Sequence, residues 1–124
     1  MSHFTRIRTK LRNPEYIRQA MKTMGHAELR QSGMVFGHDG HRRRVDLVFG
    51  VGDGQVGFKS GKGGYESVAD WWTVGIEAED FLGRLNREYA LQAVMGETRK
   101  QGFSVQKTEK LKDGSVRVVV ERWV

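Results

Sequence analysis

Cysteine is absent from this chain, which excludes a disulfide framework, a thiolate zinc or iron–sulfur site and a cysteine nucleophile. Proline is nearly absent, with Pro14 the single example. No apolar run is long enough to cross a bilayer, and Met1-Ser2-His3-Phe4-Thr5-Arg6 lacks the apolar stretch of a signal peptide. These absences lead to the expectation of a soluble protein of the cytosol, or of an equivalent reducing compartment, with no membrane partner. At 124 residues the chain is expected to form one domain over 1–124. A domain of that size buries roughly two-thirds of its unfolded surface and needs no staples.

What is present is unevenly distributed. Residues 1–44 carry 10 Lys and Arg against 3 Asp and Glu, a balance of +7, whereas residues 45–124 balance at −1. One sign of charge gathered on part of a small protein makes a surface that attracts an anionic partner. Glycine is abundant, and 10 of the 16 glycines lie between Gly33 and Gly64. The middle of the chain therefore reads as short strands joined by tight turns.

Thr5, Ile7, Thr9 and Leu11 alternate with Arg6, Arg8 and Lys10, the period of a strand with one basic face. Asn13-Pro14 is a helix start, Ile17, Ala20, Met21 and Met24 form an apolar stripe, and Gly25 supplies the stop. Three Asp-Gly pairs, Asp39-Gly40, Asp53-Gly54 and Asp113-Gly114, suit the type I′ turn that hairpins prefer. Strands are expected near 27–32 and 34–37 (one continuous strand is the other reading), 42–49, 55–59 and 64–69. A second helix is expected over 76–100, acidic at its start and basic at its end, as the helix dipole favours. Gly83 and Gly96 within it each cost about 1 kcal/mol against alanine, which points to close backbone packing. Residues 103–110 and 115–122 read as a closing hairpin. The order β-α-β-β-β-β-α-β-β predicts an α+β fold, an antiparallel sheet with two helices packed on one face.

The apparent reaction motifs fail on context. Gly52-Asp53-Gly54-Gln55-Val56-Gly57 matches G-x-G-x-x-G, but strand residues follow it where a dinucleotide fold needs a helix. Gly57-Phe58-Lys59-Ser60-Gly61-Lys62-Gly63 is one residue short of a P-loop and lacks its hydroxyl; Lys59 and Lys62 with the glycine amides offer at most a weak anion nest. His38 and His41 flank a tight turn, yet a metal needs further ligands, so no metal is expected. Glu66 and Asp70 share a strand face, where pairing with Lys or Arg is the ordinary fate of such carboxylates. No catalytic residue is identified and no cofactor is expected.

Three stretches together resemble one family. They are Ser2-His3-Phe4-Thr5-Arg6-Ile7-Arg8-Thr9-Lys10-Leu11-Arg12, then Gly64-Tyr65-Glu66-Ser67-Val68-Ala69-Asp70-Trp71-Trp72, and finally Gly102-Phe103-Ser104-Val105 with Val120-Glu121-Arg122-Trp123. The chain is similar along its whole length to the domain-of-unknown-function 1257 family, the conserved hypothetical reading frame of chloroplast and cyanobacterial genomes. The resemblance implies a compact, soluble α+β protein, in the plastid stroma for plastid relatives, and carries no activity, cofactor or catalytic residue. Arg42-Arg43-Arg44 and the His38/His41 turn depart from the family pattern.

Two functions compete. The first is a non-enzymatic accessory or protein-interaction domain with a protein partner, using Tyr65, Glu66, Asp70, Trp71 and Trp72 as its interface, since exposed tryptophan is enriched at binding hot spots. One indole of Trp71 and Trp72 is expected in the core and the other accessible. The alternative is nucleic-acid binding through Arg6, Arg8, Lys10, Arg12, Arg42, Arg43 and Arg44, provided their strands are neighbours. An enzyme is the third reading.

Overall fold

Asn13 and Pro14 start the first helix as their chemistry dictates. In the computed structural model, which describes residues 4–29 and 33–122, the Asn13 side chain accepts the Glu15 N–H at 2.9 Å. The helix α1 (Pro14–Thr23) buries Ile17, Ala20 and Met21 completely. Before it runs β1 (Thr5–Arg8), and after it β2 (Met34–Phe36), β3 (Arg42–Arg44), β4 (Leu47–Val51), β5 (Gly54–Lys59) and β6 (Glu66–Ala69). The short α2 (Trp71–Val74) and the long α3 (Ala78–Lys100) follow, then β7 (Phe103–Lys110) and β8 (Val116–Arg122).

The fold is α+β with antiparallel strands, as expected. A four-stranded sheet in the order β1-β6-β5-β4 forms its centre. The pleat divides it into two faces. Rows such as Leu47–Phe58–Ser67–Ile7 and Phe49–Val56–Ala69–Thr5 lie on one face. Phe49, Phe58, Val56 and Ala69 there pack with Ile17, Met21, Phe81 and Leu85 of the two longer helices. Phe49 meets Phe58 edge-on at 5.8 Å between centroids. The row Val48–Gly57–Val68–Arg6 lies on the opposite face. There the β2–β3 ribbon covers the sheet, and Val35 and Val45 complete a second core with Val48 and Val68.

The structure departs from the sequence reading at four places. The strand expected over 42–49 is two strands in different sheets, β3 and β4, so five strands separate α1 from α2 and not four. The chain changes sheet at Val45-Asp46: the Val45 N–H bonds back to Gly33 O at 2.8 Å, and the Asp46 N–H to Phe58 O at 2.9 Å. Of the strand expected over 27–32, residues 27–29 extend the β4 edge through Leu29 N–H to Val48 O and Gly50 N–H to Ala27 O, while 30–32 lie outside the described residues. Trp71 and Trp72 open a helix where the reading ended a strand, and Gly75, at φ 80°, closes that helix in the left-handed conformation glycine favours. Lastly, the β7–β8 hairpin stands as its own two-stranded sheet against α3 and does not join the central one. Among the three Asp-Gly pairs, only Asp39-Gly40 puts both residues at positive φ, as a type I′ turn requires.

The two glycines inside α3 turn out to differ. A side chain on Gly96 would collide with the Tyr16 ring and hydroxyl, so this glycine does permit close approach of α1. A side chain on Gly83 would meet only the mobile tip of Arg87, at 3.8 Å. Gly83→Ala is therefore expected to stabilise the protein by about 1 kcal/mol in chemical denaturation. Gly96→Ala is expected to yield no gain, because Tyr16 must leave its place against Tyr89.

Candidate functional site

The ribbon is narrower than the sheet it covers, and the uncovered part of that face is a cleft of about 420 Å³. Its floor is Val68, fully buried. Its walls are Phe4 and four cations, Arg6, Arg43, Arg44 and Lys59. Strand pairing explains the convergence: Arg6 lies opposite Val68 on β1, and Lys59 leaves β5 on the same face two residues after Gly57. The ribbon brings in Arg43 and Arg44 from the other side. The Arg43 guanidinium sits 4.9 Å from the Phe4 ring centroid, a cation–π contact, and donates to Arg42 O at 2.9 Å.

Among the described residues no Asp or Glu lines the cleft. Among the described residues, none of Arg6, Arg43, Arg44 and Lys59 has a carboxylate within 4.0 Å, although Glu66 stands opposite Lys59 in the β5–β6 register. Two other basic residues of the first third have carboxylate neighbours. Arg8 lies 3.8 Å from Glu66, and Arg18 pairs with Glu15 and Glu28. Thus three of the seven basic candidates, Arg6, Arg43 and Arg44, come together. Arg8 flanks them with Lys62 beside a second hollow, and Arg12 donates to Gly63 O at 3.2 Å in the glycine loop. Lys10 and Arg42 are both exposed and line none of these hollows. The sequence offers Lys59 only as part of a loop nest; its place in the cleft depends on the β5–β6–β1 register, for which the sequence carries no direct signal.

The residues proposed as an interface separate in the same way. Trp72 is 68 % exposed, with His38 edge-on to its ring at 5.7 Å and 90°. Trp71 turns inward against Phe81 at 5.6 Å, and its indole N–H is buried without an acceptor among the described residues. Tyr65 packs against the main core while its backbone pairs with Thr9 and Leu11. Asp70 is only 3 % exposed, so it offers no surface to a partner. Its Oδ1 accepts the Thr73 N–H at 3.3 Å and its Oδ2 the His38 N–H at 3.1 Å. Glu66, engaged with Arg8, and Asp70, engaged with two amides, form no acid–base pair. Successive helix positions point about 100° apart, which separates the two indoles without any strand alternation.

Cleft and tryptophan are connected through the ribbon tip. A side chain on Gly37 would lie 3.0 Å from the Phe4 ring and 3.1 Å from Asp70 Cβ, so the tip is clamped between them. His38 follows directly and carries the contact to Trp72. His38 Nε2 also lies 3.1 Å from Asp39 Oδ2. Among the described residues no three His, Cys, Asp or Glu side chains gather as metal ligands, and His3 lies outside them. No helix of the described residues is long and apolar enough to cross a membrane.

Fold and site together define an α+β protein whose sheet is covered by helices on one face and, on the other, by a short ribbon beside a basic cleft. The chain belongs to the family described as "Protein of unknown function (DUF1257)", which matches residues 20–119 and agrees with the resemblance of the three sequence stretches. It is similar to the uncharacterized protein ycf35 of Pyropia yezoensis and that of Cyanophora paradoxa, each 30% identical over 99% of this chain and 98% of the relative. The corresponding protein of Guillardia theta is 23% identical over the same shares. No solved structure matches the chain.

Proposed function

We propose that this chain is a non-enzymatic accessory domain that binds an anionic partner in the Arg6–Arg43–Arg44–Lys59 cleft. The observation that carries the reading is the grouping of four cations in one hollow with no carboxylate among its lining residues. Two like charges 4 Å apart repel by about 1 kcal/mol in water and about 4 kcal/mol at the effective dielectric of a protein surface. An anion seated between them converts that repulsion into attraction. The proposal takes the chain as a single soluble domain and takes its working face to be this side of the sheet.

Inorganic polyphosphate is the simplest probe, because it has charge and no other chemistry. Arg6→Gln combined with Arg43→Gln is expected to weaken its binding at least tenfold at about 0.15 M salt, where charges more than roughly 8 Å away are screened. Lys110→Gln with Lys112→Gln, which removes the same charge from the distant hairpin, is expected to leave binding nearly unchanged. Equal losses from the two pairs would mean that net charge alone attracts the probe, and the cleft would lose its assigned role.

A further inference from the structure

We infer that the partner is a single-stranded nucleic acid, whose phosphates lie in the cleft while a base stacks on Trp72. The inference rests on the cleft's binding an anion and adds the identity of that anion. Trp72 is a large apolar side chain held at 68 % exposure beside a basic hollow. Its helix is capped by buried Asp70 and its ring meets His38. The two rings are perpendicular and the tryptophan stays largely exposed, which leaves indole surface for a ligand. Arg43, Phe4, Gly37, His38 and Trp72 follow one another in contact, which links the charge site to the stacking site through the ribbon tip.

That pairing of parts selects among polyanions. A groove of cations that follows a backbone, next to an aromatic that takes bases, is how single strands are bound with little regard to sequence. A duplex keeps its bases stacked on each other and gives an indole nothing to stack on. An acidic peptide would use the cations but has no planar group for Trp72. The cations also recur at a polymer's spacing: Arg6 and Arg8 leave β1 on the same side about 7 Å apart. Arg8 keeps 93% of its side-chain surface exposed despite its contact with Glu66, so it is free to exchange that partner for a phosphate.

The experiment compares the full chain with Trp72→Ala, Trp72→Phe and the Arg6→Gln/Arg43→Gln pair. The probes are a labelled oligothymidylate of about 12 nucleotides, the range of one small binding domain, the matching duplex, inorganic polyphosphate and poly-glutamate. Loss of one base–indole stack is expected to weaken oligothymidylate binding about 5- to 100-fold in Trp72→Ala. Trp72→Phe should recover most of the affinity, and neither change should alter polyphosphate binding. Denaturation midpoints close to wild type would confirm that the exposed position leaves folding intact. If Trp72→Ala binds the oligonucleotide as wild type does, or if the duplex or poly-glutamate binds more tightly than the single strand, the inference is wrong while the anionic cleft stands. If wild type binds neither polyphosphate nor oligonucleotide, both fail.

Discussion

A leucine in place of Gly57 is expected to prise the β2–β3 ribbon away from the central sheet. Gly57 sits in the middle of β5, and a side chain there would begin 2.8 Å from Val45 Cγ1 and 3.0 Å from Val35 Cβ. Both neighbours are buried, β-branched and stiff about χ1, so neither can turn aside. Overpacking a well-packed site costs about 1–3 kcal/mol and sometimes more. Here the upper end, about 3 kcal/mol in urea denaturation, is expected, because a whole ribbon must lift to make room. The same movement carries Arg43 and Arg44 away from Arg6 and Lys59, so polyphosphate binding should weaken in the fraction that remains folded. A loss below about 0.5 kcal/mol would show that the second core contributes little to stability.

Asp70→Ala is expected to be the most damaging change on the tryptophan side. The carboxylate is buried and holds two amides from different elements, Thr73 at the start of α2 and His38 at the ribbon tip. Removing a cap costs about 0.5–2 kcal/mol. Leaving a part-buried N–H without its acceptor adds about 1–3 kcal/mol. A loss of about 2–4 kcal/mol is therefore expected in chemical denaturation, with Asp70→Asn intermediate because its amide oxygen can still serve one of the two donors. Equal stability of Asp70→Ala and wild type would mean that water replaces both bonds, and that α2 and the ribbon tip are joined by other contacts.

How much of this was legible beforehand varies with the physics involved. Asn13-Pro14 announces α1 because capping and φ restriction are local effects. The closing hairpin was readable from its alternation and from Asp113-Gly114, apart from the irregularity between Val105 and Lys107. The break at Val45-Asp46 was not readable, since the alternation runs straight through it and only tertiary hydrogen bonds mark the change of sheet. Asp70-Trp71-Trp72-Thr73 looks like the end of a strand by composition. Its helix exists because a buried aspartate caps it and Gly75 ends it.

The site follows the same division. The charge of the first third pointed to a set of basic side chains, and Arg6, Arg43 and Arg44 of the cleft belong to it. Their meeting with Lys59 depends on which strands pair and in what register, a long-range property. Position 57 offered only one more glycine among many, although it decides whether a second layer can sit on the sheet. Asp70 reads as surface because carboxylates usually are, whereas in the structure it is buried with one local donor, Thr73, and one from the distant ribbon tip, His38.

The short ribbon has a wider consequence. Its strands are three residues long, on a sheet four strands across, so the cleft is the part of a sheet face that its cover does not reach. Lengthening, shortening or recharging the ribbon would change the opening and its chemistry while leaving the larger core, on the other side, as it is. The larger core and the proposed site thus lie on opposite faces of one sheet, so a change in what the ribbon helps to hold need not disturb the packing of the helices.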